Sequence, residues 1–177
     1  MKALKEIILG LYLVSTAALA GQDSVITSLA IEKAQVKPEQ AMEIVSKQYS
    51  GKLSEFSVDD RDHDHKMVYE LEVVDQTRGE KIEVSVDPDT GAIQEQERDR
   101  FSSSKYGSFF NGITLEKAVA EAKKMIPGTL LEAELEHEKG VVFFEIELMT
   151  DQGVRKVIVD VETGKPIPVA TRNFHKD

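Results

Sequence analysis

The chain has 177 residues, enough for one domain or two small ones, and 41% of them are hydrophobic, so it can bury a real core. Its formal net charge of −10 argues against binding to nucleic acid and against attraction to anionic lipid. It contains no cysteine, which excludes disulfides and thiol chemistry, so the fold must hold by packing alone.

The first residues have the pattern of a bacterial export signal. A positively charged start precedes an apolar run over 7–19, which ends in the small-x-small sequence Ala18-Leu19-Ala20 before Gly21. The run is too short for a membrane-spanning helix. We therefore predict that residues 1–20 are a signal peptide, that the mature chain does not insert into the membrane, and that it is periplasmic or secreted.

The N-terminal segment 21–35 is ambiguous. Ser24 could cap a short helix that turns Ile26, Leu29 and Ala30 inward. Alternatively, the stretch frays as a new N-terminus. The pattern favours the helix.

Two stretches, 67–95 and a weaker copy about 75 residues later, share one pattern, which indicates a small unit used twice. Each has an alternating strand, a glycine-containing loop, a second strand and an acidic-Thr-Gly turn. The alternation puts apolar residues on one face of the strands and charged residues on the other, as in an antiparallel sheet covered on one side. The predicted inward residues are Met67, Tyr69, Leu71, Val73, Ile82, Val84 and Val86, and then Phe144, Ile146, Leu148, Val157, Val159 and Val161. Lys81 and Lys156 are predicted to pair with glutamates of the neighbouring strands.

A helix precedes each pair of strands. Pro38 stands at the first helical position of one, which ends at Ser50-Gly51. Thr114 is the predicted N-cap of the other, over Leu115 to Ile126. The predicted apolar stripes are Ala41, Met42, Val45 and Tyr49 in the first, and Ala118, Val119, Ala122, Met125 and Ile126 in the second.

A further strand follows each helix, from Leu53 to Asp59 and from Leu130 to Glu136, and a short extended piece follows each acidic turn. The predicted fold class is therefore α+β, with two tandem repeats, each one helix packed on an antiparallel three- to four-stranded sheet. The predicted boundaries are repeat 1 at 36–96, a linker at 97–112, repeat 2 at 113–170 and a tail at 171–177.

The linker concentrates aromatic residues, namely Phe101, Tyr106, Phe109 and Phe110. Aromatic side chains on a connecting segment can form a partner-binding surface. The alternative is that they pack the seam between the two repeats.

Asp62, His63, Asp64 and His65 form the only cluster with metal-ligand chemistry in the sequence. On an extended strand the two histidines would lie on the same side, and imidazole with carboxylate suits zinc, nickel or copper. The alternative is a solvated hairpin tip, because no third fixed ligand is evident.

The acidic turns do not form calcium loops of the EF-hand type. The twelfth position counted from Asp87 is Arg98, where a bidentate glutamate is required. We predict instead turns in which Asp and Thr bond the local backbone and Gly takes positive φ. No nucleophile or glycine-rich phosphate motif is present, and the glutamates lie on strand faces, so we predict no catalytic residues and no cofactor.

These motifs resemble the PepSY domain. The family pattern of a helix with x-P/L-E-x-A, an aromatic-Glu-aliphatic strand and V-x-V-D-x-x-T-G is matched by 38–41, 69–73 and 84–91. The second copy matches it with 115–118, 144–148 and 157–164.

The resemblance implies a function without catalysis. PepSY domains are similar to segments of thermolysin-type protease propeptides and cell-envelope regulators, where they restrain or modulate peptidases. It implies an exported binding module that acts on a protein partner, a peptidase or another envelope regulator, through an exposed sheet face or edge strand. The alternative is a periplasmic protein that binds a small ligand or a divalent metal.

Overall fold

In the computed structural model, helices and strands follow one another twice in the same order. The structure describes residues 16–60, 66–101 and 106–169, and for 16–21, 60 and 108 it describes the backbone alone. The elements are α1 (Thr16–Lys33), α2 (Pro38–Gln48), β1 (Lys52–Asp60), β2 (Met67–Asp75), β3 (Glu80–Val86), β4 (Ile93–Arg100), α3 (Gly107–Asn111), α4 (Leu115–Met125), β5 (Thr129–Glu138), β6 (Val141–Thr150), β7 (Gly153–Asp160) and β8 (Pro166–Pro168).

The described strands form one antiparallel sheet of eight strands in the order β4-β3-β2-β1-β5-β6-β7-β8. The α+β class is confirmed. The prediction of a sheet for each repeat changes in one respect, because β1 and β5 pair and join the two sets of four strands. Unjoined, each of these strands would be an edge with free backbone groups, and pairing the two removes both edges.

Two helices cover the apolar face of the sheet. α2 contacts β1 and β2, and α4 contacts β1 and all four strands of repeat 2. The predicted stripes are confirmed where the helices meet the sheet: Ala41, Met42, Val45, Ala118, Val119 and Ala122 are buried. The ends of the stripes differ, because Tyr49 is half-buried and Met125 is 42% exposed. These two residues lie where each helix ends and the chain leaves the sheet.

The predicted starts of both helices are confirmed. Pro38 is the first residue of α2, and the Thr114 hydroxyl accepts a bond of 3.4 Å from the Lys117 amide at the start of α4. The Lys37 ammonium, just before α2, donates to three carbonyls at the end of α1, those of Ile31, Glu32 and Ala34, at 2.8–3.0 Å. A cation bound to the last carbonyls of a helix stabilises that end.

The helix predicted in the N-terminal segment is present, but its predicted orientation is wrong. Ser24 lies inside α1 rather than at its cap, and Ile26 and Leu29 are 56% and 49% exposed. Instead, Ser28 and Ile31 are buried, and α1 lies against β5, β6 and β7. Ser24 and Thr27 lie near the charged residues of the sheet and Ile31 joins the hydrophobic core, whereas Val25, Ile26 and Leu29 face outward.

The signal-peptide prediction rests on residues 1–20, and residues 1–15 lie outside the described part of the chain. No helix in the described ranges is both long enough and apolar enough to span a membrane.

β4 is longer than the short extended piece predicted after the first acidic turn. It runs to Arg100, into the predicted linker, and α3 forms a short helix near the end of that linker. The eight residues of β4 are mostly polar and exposed, so alternation of hydrophobic residues gave no signal for it.

The predicted turn chemistry is confirmed in both repeats. The Asp87 carboxylate accepts from the backbone amides of Asp89 and Thr90, and Gly91 has a φ of +73°. The Asp160 carboxylate accepts from the amide and hydroxyl of Thr163. These bonds explain the acidic-Thr-Gly motif as backbone structure.

Candidate functional site

The charged side of the sheet is the most distinctive surface of the described chain. Alternation along β1, β2, β3, β5 and β6 puts glutamates on the side of the sheet opposite α2 and α4. We call this surface the acidic face, and its glutamates are Glu55, Glu70, Glu72, Glu83, Glu132, Glu134, Glu145 and Glu147.

Six glutamates lie directly opposite one another across six adjacent strands. In order from β4 to β6 they are Glu97, Glu83, Glu72, Glu55, Glu134 and Glu145. We call this line the glutamate row. Like charges directly opposite each other in a sheet are destabilising. A row of this length therefore costs stability, which favours a role for it beyond holding the fold together.

Two lysines neutralise part of the row, as predicted. The Lys81 ammonium lies 2.8 Å from a carboxylate oxygen of Glu72 and 2.8 Å from one of Glu83. The Lys156 ammonium binds the carboxylates of Glu145 and Glu147, the latter at 3.1 Å. Hydrogen bonds to these carboxylates raise the pKa of both lysines. Lys81 thus neutralises Glu72 and Glu83, and Lys156 neutralises Glu145 at the β6 end, whereas, within the described part of the chain, no ion pair to Glu55 is formed by either lysine.

Carboxyl groups near the centre of the row have raised pKa values. Burial raises the pKa of the Glu55 carboxyl to about 7, with further contributions from Glu72, Glu134 and Glu132, while Lys81 opposes them. Burial is also the main cause of the raised pKa of Glu132, followed by the charge of Glu147. Burial raises the pKa of Glu70 as well. The middle of the acidic face therefore holds carboxyl groups that bind protons more readily than ordinary glutamates.

Two shallow cavities open beside Glu55. One, of about 290 Å³, lies between the ends of β1 and β5, and the other, of about 170 Å³, lies over β2 and β3. The larger cavity is lined by Ser54, Glu55, Glu72, Lys81, Tyr106, Glu134, Leu135, Glu136, His137 and Val142. Its lining is mainly polar and acidic, which suits a cationic side chain of a partner better than an apolar ligand.

The four aromatic residues predicted as a partner surface lie together. Tyr106 and Phe109 are buried, and Phe101 and Phe110 are half-buried. The ring centroids of Phe101 and Tyr106 are 5.1 Å apart, and those of Phe109 and Phe144 in repeat 2 are 6.0 Å apart. The Lys52 ammonium of repeat 1 donates to the Phe109 carbonyl at 3.0 Å. The cluster packs the seam between the repeats, and a role in partner binding stays a prediction.

The predicted metal ligands Asp62, His63, Asp64 and His65 all lie in 61–65, outside the described residues, so the metal site stays a prediction. His137, in the corresponding turn of the second repeat, is exposed at the end of β5. Among the residues that the structure describes, no three His, Asp or Glu side chains are grouped as metal ligands.

Sequence reasoning did not select the glutamates as a site. Each strand showed acidic residues on its charged side, which is the ordinary pattern of a solvated face. The signal that the sequence lacked was the register between strands, and above all the pairing of β1 with β5, which brings Glu55 opposite Glu134.

The duplicated helix-and-sheet unit, with a face of glutamates that α1 covers in part, defines a class of small α+β domain. The family described as "Peptidase propeptide and YPEB domain" (PepSY) matches the chain twice, over residues 35–97 and 112–167. The chain therefore belongs to the PepSY family and carries two copies of the domain.

Two solved structures can be aligned with most of this chain. One is CD1622, a candidate lipoprotein from Clostridium difficile 630, with 21% identity, a TM-score of 0.45, and coverage of 80% of this chain and 96% of that one. The other is the YpmB protein from Bacillus subtilis, with 20% identity, a TM-score of 0.35, and coverage of 75% and 96%. Comparison with curated proteins gives no match. The family assignment rests on the two domain matches.

Proposed function

We propose that the chain is an exported, non-catalytic PepSY-type module that binds a protein partner through its acidic face, and that the partner is a peptidase or another envelope protein whose activity it restrains or modulates. The observation that carries the proposal is the glutamate row, which spans six neighbouring strands, four of repeat 1 and two of repeat 2. A partner with a basic segment laid across the strands would meet carboxylates from six strands and relieve their mutual repulsion.

The two edge strands, β4 and β8, are poorly suited to pair with a partner strand, which favours the acidic face as the binding surface. β8 has three residues, two of which are prolines without an amide hydrogen. β4 has a register shift opposite Glu83 and Val84, and it carries five charged residues. Bulges, charges and prolines are features that keep edge strands from pairing with other chains. Edge-strand addition therefore suits this protein poorly.

The acidic face also suits binding better than catalysis. Carboxylates can act as general acid and base, but they do so in an enclosed cleft. Here the neighbouring cavities are shallow, and the glutamates of the face are either half-buried or exposed. Peptidase modulation is the finer part of the proposal and comes from the family, whose description names peptidase propeptides.

The proposal is tested by comparing two variants of equal charge. In the first, Glu70, Glu132 and Glu134 on the acidic face are changed to Gln. In the control, Glu32, Glu43 and Glu121 on the helices are changed to Gln, so the net charge rises by the same three units. Both proteins, and the wild type, are titrated against a purified thermolysin-type peptidase and against partners recovered by crosslinking in the cell envelope.

We expect the first variant to bind more weakly and the control to bind like the wild type. Three exposed charge pairs at about 0.5 kcal/mol each amount to about a tenfold increase in Kd. Binding of the wild type should also weaken as salt is added, because the contacts are exposed. Equal binding by the two variants would rule out the acidic face, and recovery of no protein partner would count against the function itself.

A further inference from the structure

The two repeats are joined by a short stretch of sheet. β1 and β5 have 9 and 10 residues but pair at only two positions, Glu55 with Glu134 and Phe56 with Ala133. Beyond these pairs the strands diverge, and the larger cavity opens on one side of the junction. A second cavity of about 240 Å³, lined in part by Ser57 and Glu132, opens on the other side. The β1–β5 junction is therefore the narrowest pairing between long strands in the described sheet.

One of its two pairs places carboxylates of like charge opposite each other. Charged and titratable groups face Glu55 from every element around it. They are Glu70 and Glu72 from β2, Lys81 and Glu83 from β3, Glu132, Glu134, Glu136 and His137 from β5, and Tyr106 from the segment before α3. Lys81 is the one cation in this set that is charged at every physiological pH, and its ammonium is bound to Glu72 and Glu83. The balance around Glu55 is acidic.

Ionisation of Glu55 therefore acts against the junction in two ways. The charged carboxylate loses water through its partial burial, and it is repelled by Glu72 and Glu134 on both sides. Separating β1 from β5 would relieve both effects, because it would expose Glu55 to solvent and move it away from Glu134. A protonated Glu55 carries no charge, so in the closed junction it avoids both the cost of desolvating a charge and the repulsion by Glu72 and Glu134.

We propose that Glu55 and Glu134 form a proton-controlled latch between the two PepSY repeats, closed when the pair holds a proton and loosened when both carboxylates are charged. The latch belongs to the fold of the chain alone and does not depend on the proposed partner. The apolar pair Phe56–Ala133 and the helices on the other face keep the repeats together in both states, so the change is local to the junction.

The sign of the effect follows from proton linkage. The closed junction holds the Glu55 proton up to a pH of about 7, whereas an open, solvated Glu55 would release it near the ordinary glutamate pKa of 4.5. Between these two values the closed form binds more protons than the open form. Closure is therefore favoured fully below pH 4.5, weakens as the pH rises from there to about 7, and changes little at higher pH.

The experiment is amide hydrogen exchange followed by NMR on the full mature chain, at pH 5.5 and 7.5, with rates corrected for the intrinsic pH dependence of exchange. We expect the protection of the amides in the two β1–β5 pairs to fall about three- to tenfold over this range, a value reduced from the full linkage because Glu55 is partly solvated. In Glu55→Gln, which stands for the protonated side chain, protection should be at least that of the wild type at pH 5.5 and should not change between the two pH values.

Two further variants separate the latch from general effects of the acidic face. Glu70→Gln removes a carboxylate with a raised pKa that lines the smaller cavity beside Glu55 but lies opposite Ser57 and Ser85, outside the two β1–β5 pairs, and it should keep the wild-type pH dependence. His137→Gln removes the imidazole that lines the larger cavity and should also keep the wild-type pH dependence.

A direct titration of the Glu55 side-chain carbon in the wild type makes the test independent of any variant. The expected midpoint is near pH 7, and Glu134→Gln should lower it. The latch is overturned if Glu55 titrates like an ordinary glutamate. It is equally overturned if junction protection does not change with pH, or if Glu55→Gln retains the wild-type dependence.

Discussion

The two repeats share the same order of helix and strands but differ where they meet. Phe56 and Ala133 occupy equivalent positions, each three residues after the leucine that begins the matching part of β1 and β5, and they face each other across the junction. A pseudo-twofold axis therefore passes between them. Two equivalent large side chains at such an axis would compete for the same space, and the combination of one large and one small side chain avoids this.

The charges beside this axis differ in the same way. Glu55 and Glu132 are equivalent, as are Ser57 and Glu134. On one flank Glu55 therefore faces Glu134, while on the other Glu132 lies near Ser57 and α1. The duplication repeats the fold closely, and the differences that give the molecule a distinct centre are confined to a few positions at the axis.

Removing the large side chain at the axis should have the largest effect. Phe56 is fully buried, so Phe56→Ala should lower the free energy of unfolding by about 3–5 kcal/mol through lost burial and a residual cavity. The reverse change, Ala133→Phe, should cost about 1–3 kcal/mol by overpacking. Both are measured by urea denaturation with the slope checked for constancy.

The exchanged variant, Phe56→Ala with Ala133→Phe, tests the axis directly. If the two positions share one space, the double variant should be clearly more stable than the sum of the two single effects predicts, because the volume is restored. Additive effects would show that the two positions are independent and that no shared space lies between the repeats.

Much of this fold could be predicted because its signals are local. Alternation in β2, β3, β6 and β7 and the stripes on α2 and α4 depend on residues a few positions apart. Pro38, Thr114 and the acidic-Thr-Gly turns act on their own backbone. These predictions are confirmed by the structure except at the ends of the stripes, where Met125 is exposed and Tyr49 is half-buried.

The parts that could not be predicted depend on contacts between distant segments. The pairing of β1 with β5 has no local signature, because an edge strand and a junction strand read alike in one sequence. α1 was assigned the wrong buried side because its partner is the charged side of the sheet rather than the apolar core. The candidate site was missed for the same reason, since the glutamate row exists only once the register of six strands is known.

The glycines that follow α2 and α4, Gly51 and Gly128, both lie close to a backbone carbonyl of a neighbouring strand. A Cβ on Gly51 would stand 2.6 Å from the Val74 carbonyl oxygen, and one on Gly128 would stand 2.5 Å from that of Met149. Gly51 also has a φ of +132°, which side chains rarely adopt. Gly51→Ala should therefore cost about 2–3 kcal/mol and Gly128→Ala about 1–2 kcal/mol.

Gly79 provides the control for these glycines, because it has a φ of +65° but nothing within 4 Å of an added Cβ. Gly79→Ala reports the backbone conformation alone, and Gly128→Ala reports mainly the close contact. Of the three variants, Gly51→Ala should unfold at the lowest urea concentration. If Gly79→Ala were as destabilised as Gly51→Ala, the close approach to Val74 would have no measurable weight.

The smallest expected difference lies between the two contacts that join α2 to α4. The Lys123 ammonium binds the Glu39 carboxylate, and at the equivalent place the Ser46 hydroxyl donates to Glu116 at 2.6 Å. Lys123 and Ser46 occupy equivalent positions in the two repeats. The contact of Lys123 is therefore an ion pair, whereas the contact of Ser46 involves only the charge of Glu116. Both are partly exposed, so Lys123→Ser should cost only about 0.2–1 kcal/mol.

Salt distinguishes the two contacts more sharply than stability alone. Raising the salt concentration to about 1 M should weaken the Glu39–Lys123 contact and leave the Ser46–Glu116 bond nearly unchanged, because only the first joins two opposite charges. A double-mutant cycle of Lys123→Ser with Glu39→Gln, measured by thermal unfolding at low and high salt, isolates the pair. Conversely, Ser46→Lys should create a second salt-sensitive pair with Glu116. A coupling energy that does not fall with salt would show that the Lys123 stem, rather than its charge, holds the helices together.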